Sequence, residues 1–200
     1  MKPQVKGVWV GVAIGIPAGI VLTLVVGLVG VLAIGSWMQS QAGRRHLPVP
    51  LFGAEFPEEG RRIVHGRTDY DWTLRTLDGE QAPFAEFRGR TVFLNVWATW
   101  CGPCVTELPS IERLHRSMAD DDIAVLLVTD ESADTVRDFL ASKNLGLPVY
   151  ITPQEVPAEF ASPGIPATFV VDPDGLILFK HVGAADWDDD ACRKFLRSLS

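Results

Sequence analysis

Cysteine and histidine are scarce in this 200-residue chain, which has three of the former and four of the latter. Cys101 and Cys104 are separated by two residues, and no further cysteine or histidine follows at the short spacing of a metal-binding motif. A structural zinc site needs four such ligands. The sequence therefore predicts no metal site. His181, in a predicted strand, could be imagined as a copper ligand with the pair, but a strand-surface histidine is the favoured interpretation.

Charged residues are absent from 7–38, a run made mostly of Val, Ile, Leu, Ala and Gly. A helix of about 20 such residues crosses the hydrocarbon core of a bilayer. A cleaved secretory signal ending near 40–42 is the alternative, but the apolar core of such a signal is usually only about 7–15 residues. The sequence therefore predicts an N-terminus at 1–6 followed by one transmembrane anchor at 7–38.

Acidic residues are absent from the first 46 positions, and all 25 of them follow. Basic residues stand on both sides of the predicted anchor, so charge alone leaves its orientation open. The remainder of the chain is strongly acidic, which makes it soluble and repels nucleic acid. We expect partners with neutral or basic surfaces.

After the anchor, residues 39–66 mix prolines, glycines and acidic residues without a sustained hydrophobic period. This composition, together with the lack of a hydrophobic period, predicts a linker. From 67 to 200 the sequence is typical of a globular domain. Strands are predicted at 72–77, 91–97, 123–129, 148–151, 168–171 and 176–182, and helices at 101–118, 133–143 and 187–199.

Strands that alternate with helices and close with a hairpin predict an α/β fold with a central mixed sheet covered on both faces. The last predicted helix has acidic residues at its start and basic residues later, which suits the helix dipole. Cys192 lies on its apolar stripe. A core role is therefore favoured for Cys192, with a regulatory or intermolecular thiol left open.

The segment Trp-Cys-Gly-Pro-Cys at 100–104 lies where a predicted buried strand ends and a predicted helix begins. The spacing of three residues is about one helical turn, which brings the two cysteines within disulfide range. A cysteine at a helix N-terminus has a stabilised thiolate. A permanent disulfide across two residues would close too small a loop to stabilise the fold much. The motif therefore predicts a redox-active pair with a reactive Cys101 and a sheltered Cys104.

Several motifs in order resemble the thioredoxin superfamily, in particular its membrane-anchored TlpA/ResA-like branch. They are Phe-Leu-Asn-Val-Trp-Ala-Thr at 93–99, Cys-Gly-Pro-Cys-Val-Thr-Glu-Leu-Pro at 101–109, Gly-Ile-Pro-Ala-Thr-Phe at 164–169 and Asp-Pro-Asp-Gly at 172–175. The similarity covers about residues 69–199. It implies a thioredoxin-like fold and thiol–disulfide oxidoreductase activity without any cofactor beyond the Cys101–Cys104 disulfide.

Glu107 is the unusual residue of the helix that follows the pair. It shares a stripe with Cys104 that is otherwise apolar, whereas a solvated carboxylate would prefer the opposite face. Burial would raise the pKa of this carboxyl group and suit it to accept the Cys104 proton, a role that the resemblance also implies. Asn95 stands in the preceding strand where thioredoxins carry aspartate. This departure shifts the proton-acceptor role toward Glu107, and a structural role for Asn95 is the alternative.

The resemblance also implies how a substrate is contacted. Pro166 resembles the cis-proline of the family, which presents the backbone of Ile165 to a bound chain, although a cis bond is uncommon at X–Pro in general. Pro109 resembles the proline that kinks the active-site helix and is structural. The residues expected to contact substrate are Trp100, Gly102, Pro103, Ile165 and Pro166.

The resulting hypothesis is a single-pass membrane protein whose catalytic domain lies on the extracytoplasmic, periplasmic side. It would reduce disulfides of partner proteins, with a membrane thiol carrier as electron donor, in a role of the cytochrome c or copper-site assembly type. The direction of electron flow is not encoded by the motif. A disulfide-forming oxidant or isomerase and a thiol-based metal-handling module are the alternatives. A peroxidase is disfavoured because neither cysteine follows a Pro-x-x-x-Thr-x-x pattern.

Overall fold

A computed structural model describes residues 53–57 and 63–200, all within the compact unit Pro50–Ser200. The predicted N-terminus at 1–6 and the predicted anchor at 7–38 lie outside the described residues. Within the described residues, none of the helices combines the length and the apolar character that crossing a membrane requires.

One mixed sheet organises the described residues. The parallel pairs β4–β5 and β5–β6 form its centre, and every other pair is antiparallel, in the order β1-β8-β7-β4-β5-β6-β2-β3. Its strands are β1 (Gly66–Arg67), β2 (Thr73–Thr76), β3 (Gln81–Pro83), β4 (Thr91–Val96), β5 (Ile123–Thr129), β6 (Val149–Ile151), β7 (Ala167–Val171) and β8 (Leu176–Val182). The central strands β4, β5 and β7 are almost fully buried, which explains their continuous apolar sequence.

The three α-helices of the described residues all contribute to the apolar cluster on one face of the sheet. They are α1 (Gly102–Ser117), α2 (Ala133–Lys143) and α3 (Asp190–Arg197). Both faces are covered, as predicted, but the cluster on the opposite face contains no α-helical residue, and two short 3-10 helices, Phe84–Phe87 and Ala158–Phe160, contribute to it. Aromatic side chains cover that face instead, chiefly those of Tyr70, Trp72, Phe84 and Phe160.

Two secondary-structure predictions need correction. The short strands β1 and β3 were not predicted, because two or three residues carry no detectable hydrophobic period. The last helix was predicted from Trp187, but α3 begins at Asp190, where the Asp189 side chain accepts a hydrogen bond from Cys192 N. Trp187 therefore lies in the loop before α3, fully buried.

Part of the predicted linker at 39–66 packs on the domain. Gly53 forms a parallel bridge with Asp186, and the Phe56 ring stacks on Phe179 with 4.5 Å between centroids. Phe56 also contacts Phe195 at 5.1 Å. Residues 53–57 of the predicted linker are therefore packed against the domain. The segment has no hydrophobic period because single side chains, rather than a regular element, fill the gap between β8 and α3.

Replacing Phe56 with alanine is expected to lower the free energy of unfolding by about 2–3 kcal/mol, because the ring fills a site between aromatic neighbours. Urea unfolding of the full chain followed by tryptophan fluorescence measures the change. Val64→Ala is the matched control from the same predicted linker, since its side chain is 54% exposed. It should change stability by less than about 0.5 kcal/mol. Equal stabilities of the two variants would contradict the packing of this segment.

Candidate active site

The cysteine pair lies at the end of β4, where the chain turns into α1. The amide of Cys101 donates to the carbonyl of Ala98 at 3.2 Å, which closes the turn. Cys101 is the N-cap of α1, and Pro103 follows in the first turn, where its missing N–H costs no hydrogen bond. Cys101 and Cys104 form a disulfide with 5.2 Å between their Cα atoms. The predicted pair is therefore present and oxidised in this structure.

The two sulfurs differ in access and in electrostatics. Cys101 is 6% exposed and Cys104 is fully buried. The amide of Cys104 donates to the Cys101 Sγ at 3.2 Å, so an N–H of the helix end points at the outer sulfur. Such a donor, together with the positive end of the helix dipole, stabilises a thiolate on Cys101 once the disulfide is reduced. Cys101 is therefore suited to attack and Cys104 to resolve.

The residues expected to contact substrate surround Cys101. The peptide bond between Ile165 and Pro166 is cis, in agreement with the resemblance, and the Ile165 carbonyl oxygen lies 3.8 Å from the Cys101 Sγ. Trp100 is 74% exposed beside the pair, and Gly102 and Pro103 are also exposed. An apolar surface of this kind can receive an extended substrate chain.

One apolar neighbour of this surface was not predicted from the sequence. Val182 pairs with Ala167, the residue after the cis-proline, and is 44% exposed. Its only sequence signal was that it is an apolar residue at the end of the predicted strand 176–182. Pro109, the predicted kink residue, lies within α1, which continues through it to Ser117.

Glu107 is completely buried one helical turn after Cys104. Its Oε2 accepts hydrogen bonds from the Trp187 indole Nε1 at 2.8 Å and from the Ala185 amide at 3.1 Å. Its Oε1 accepts from the Asn95 Nδ2 at 2.8 Å. Burial raises the pKa of Glu107 to about 7, although the three donors oppose the shift. A carboxyl group with this pKa can take up a proton near neutral pH.

Asn95, in β4, is hydrogen-bonded both to the Glu107 carboxylate and to Thr168 in the neighbouring strand β7. Its Nδ2 donates to the Thr168 Oγ1 at 2.9 Å as well as to Glu107, and its side chain is completely buried. Thr168 was not predicted as part of the site, although a threonine within the apolar strand β7 was a usable signal. Asn95 therefore positions Glu107 directly, and the alternative of a local turn-holding role is not what its contacts show.

The loop before α3 is hydrogen-bonded to α1 at two residues, Glu107 and Ser110. Besides the two donors to Glu107, the Trp187 amide donates to the Ser110 Oγ at 3.2 Å. The Ser110 hydroxyl in turn donates to the Glu107 carbonyl at 2.7 Å. Trp187 was missed as a site residue because the sequence pattern assigned it to a helix. Only a long-range contact, 80 residues from Glu107 along the chain, reveals its role.

A second carboxylate supports the turn ahead of the pair. Glu131 follows β5 and accepts hydrogen bonds from the Thr99 amide at 2.6 Å and from the Thr99 hydroxyl at 2.7 Å. Because β4 and β5 are parallel, their carboxyl ends meet at the same edge of the sheet. No sequence signal identified Glu131.

The remaining candidate residues lie apart from the chemistry. Cys192 is free and fully buried, and burial raises the pKa of its thiol strongly. This placement agrees with the predicted core role. His181 is half-buried in β8, where its ring meets the Trp187 ring edge-on at 5.5 Å, and burial lowers its pKa.

Comparison with known proteins decides the family. A family model described as AhpC/TSA matches residues 66–180, more than half of the sequence. This chain belongs to the AhpC/TSA family. Thioredoxin-like protein YneN of Bacillus subtilis (strain 168) is 36% identical to this AhpC/TSA-family chain over 125 residues, which cover 60% of the chain and 73% of YneN.

Thiol-disulfide oxidoreductase ResA of Geobacillus thermodenitrificans (strain NG80-2) is 31% identical over 126 residues, covering 62% of the chain and 72% of that protein. The crystal structure of a thioredoxin-family thiol:disulfide interchange protein from Chlorobium tepidum TLS aligns with a TM-score of 0.56 at 23% identity. The alignment covers 71% of this chain and 99% of the Chlorobium tepidum chain, and the likeness shows that the two share a fold. The resemblance to ResA-like proteins is confirmed, and this AhpC/TSA-family member is a thiol–disulfide oxidoreductase.

Proposed function

We propose that the protein is a membrane-anchored reductase of disulfides in partner proteins, acting on the extracytoplasmic side and needing no cofactor beyond its own disulfide. The observation that carries the reductase assignment is the arrangement of Cys101, Cys104 and Glu107. The outer sulfur can be reached, the inner sulfur is sheltered, and a buried carboxylate with a pKa of about 7 lies one turn below the inner one.

The proposed reaction begins with the reduced pair. The Cys101 thiolate attacks one sulfur of a substrate disulfide, which forms a mixed disulfide and releases the other substrate sulfur as a thiolate that takes a proton from water. Glu107 then accepts the proton of the Cys104 thiol. The Cys104 thiolate attacks the Cys101 sulfur of the mixed disulfide, the protein disulfide forms, and the second substrate sulfur leaves as a thiolate that takes a proton from water. Two electrons pass from the protein to the substrate.

The same pair must then be reduced again. We assign this step to a membrane thiol carrier, because a domain outside the cytoplasm has no access to cytoplasmic reductants. The uncharged run 7–38 supports the anchor. The motifs shared with the TlpA/ResA-like branch support a role in cytochrome c or copper-site assembly, and the Gly102-Pro103 dipeptide resembles that of reductants more than that of oxidants. The excess of acidic residues after the anchor favours partners with neutral or basic surfaces.

The reduction potential of the Cys101–Cys104 pair tests the proposed direction. The full chain in detergent micelles is equilibrated with glutathione or dithiothreitol buffers, and the thiols are trapped and counted by mass spectrometry. We expect a potential below about −260 mV, at the reducing end of the glutathione range.

Other outcomes would replace the proposal. A potential near about −120 mV is that of a strong oxidant and would identify a disulfide-forming enzyme. A pair that stays reduced in every buffer but retains stoichiometric copper or zinc would identify a metal-handling module. Cys192→Ala is the matched control, since a buried thiol apart from the pair should leave the potential unchanged.

A further inference from the structure

The two oxygens of Glu107 have different kinds of partner. Oε2 is held by the Ala185 amide and the Trp187 indole, and both groups are donors that cannot accept a hydrogen bond. A proton on Oε2 would therefore meet two N–H groups in a fully buried place. Oε1 has a single side-chain partner, the amide of Asn95. The added proton must therefore reside on Oε1.

The amide of Asn95 contains both a donor and an acceptor. Its Nδ2 is shared between Glu107 and the hydroxyl of Thr168, whereas its Oδ1 is buried without a hydrogen-bond partner among the described residues. A buried amide oxygen without a partner is unfavourable, because it has lost its hydrogen bonds to water without replacement. The orientation of the Asn95 amide that suits an ionised Glu107 therefore has an unfavourable feature, the unpaired Oδ1.

We propose that Asn95 is a positioning residue whose side-chain amide reverses by half a turn each time Glu107 gains or loses its proton. This inference rests on the proposed role of Glu107 as acceptor of the Cys104 proton. When Glu107 is ionised, the Nδ2 of Asn95 donates to Oε1. When Glu107 is protonated, the Oδ1 of Asn95 accepts from the Oε1 hydroxyl.

Reversal leaves the number of unpaired buried groups unchanged. Before it, the Oδ1 of Asn95 has no partner, and after it the Nδ2 takes that place. The hydroxyl of Thr168 follows either orientation, because it accepts from Nδ2 and can rotate to donate to Oδ1. Without reversal, the Oε1 hydroxyl of Glu107 would face an N–H donor, which leaves one more buried donor unsatisfied.

Of the two residues only Glu107 titrates, because the amide of Asn95 does not ionise. Burial raises the pKa of Glu107 and its three hydrogen-bond donors lower it, without a contribution from a charged group. The other titratable groups on the elements packed around it are the thiols of the reduced pair on α1, Cys192 on α3, His181 on β8 and Asp186 in the loop before α3. Burial lowers the pKa of His181, and Asp186 directs its carboxylate to Arg113 and to the amide of Asp188.

Nuclear magnetic resonance of the oxidised full chain in detergent micelles tests the reversal. Contacts between the Asn95 Nδ2 protons and the Thr168 methyl group are followed from about pH 5 to about pH 9, on either side of the Glu107 pKa. The Glu107 carboxyl carbon is followed in parallel. We expect the contact at high pH and its loss at low pH, with the same midpoint for both signals. Loss of the amide signal in Asn95→Leu assigns it.

Glu107→Gln is the decisive variant because glutamine cannot ionise. Its carbonyl oxygen must take the place of Oε2 between the two fixed donors, so its NH₂ group faces Asn95. The Asn95 amide is then expected in the reversed orientation at every pH. The matched control is Glu80→Gln at an exposed position, which should keep the pH-dependent contact.

The inference is overturned if the contact between Asn95 and Thr168 persists while Glu107 titrates, or if Glu107→Gln retains the wild-type contact. Neither measurement needs substrate or turnover. A chain that shows the reversal but fails to reduce disulfides would therefore overturn the proposed function and leave this inference standing.

Discussion

Replacing Cys104 with serine is expected to stop the reaction at the mixed disulfide and to lower turnover at least about a thousandfold. Cys101 remains at the N-terminus of α1, where the backbone N–H of residue 104 still points at its sulfur, so attack on a substrate continues. The covalent adduct then has no internal thiol to release it. Non-reducing electrophoresis and mass spectrometry with a disulfide-bonded test protein should show one adduct per chain, at Cys101.

Cys101→Ser separates the two roles. Cys104 is fully buried behind the first turn of α1, so this variant should form no adduct and have no turnover. Cys192→Ala is the matched control, because it removes a free and buried thiol elsewhere in the core. It should keep wild-type turnover and lose about 1 kcal/mol of stability. An adduct at Cys104 in Cys101→Ser would contradict the assignment of the attacking cysteine.

The stability of the oxidised protein is expected to fall as pH rises through the Glu107 titration. The pKa of this carboxyl group is about 7 in the folded protein against a model value of 4.5, because burial disfavours its charged form. Below pH 4.5 the group is protonated in both states and imposes no cost. Above pH 7 the group is ionised in both states, and the folded state is destabilised because it buries the charge. The loss between these values is about 3 kcal/mol.

Glu107→Gln should remove this pH dependence because its side chain cannot ionise. Urea unfolding of the oxidised full chain across the same pH range gives the difference between variant and wild type. The free energy of unfolding of the variant should rise relative to that of the wild type as pH rises from 4.5 to about 7. Outside this range the two curves of stability against pH should run parallel. Glu80→Gln is the matched control at an exposed position and should follow the wild type throughout. A constant difference between Glu107→Gln and wild type would refute the raised pKa.

Most of the site could be predicted because its signals are local. A strand that runs into Trp-Cys-Gly-Pro-Cys places Cys101 at a helix N-terminus, and helical spacing places Glu107 one turn beyond Cys104. These relations depend only on the geometry of a few consecutive residues. The cis bond before Pro166 came from the resemblance alone, since the local chemistry of an X–Pro bond favours trans.

The partners of Glu107 could not be predicted in the same way. Trp187 and Ala185 reach it from the far end of the chain, and Asn95 and Thr168 come from adjacent strands of the sheet. Such contacts depend on strand order and on the path of the final loop. The same limit applies to Phe56, whose packing depends on a gap that exists only after β8 and α3 are assembled.

By itself, therefore, the sequence determined the redox pair, the longer strands and the helices in their order along the chain, and the presence of one carboxylate on an apolar helix face. Each of these follows from hydrophobic period and helical spacing, which act over a few residues. The tertiary structure alone decided that the three α-helices between residues 63 and 200 cover one face and that three donors converge on Glu107. It also decided that burial brings the pKa of Glu107 to about 7, because desolvation is a property of the assembled core and not of any segment.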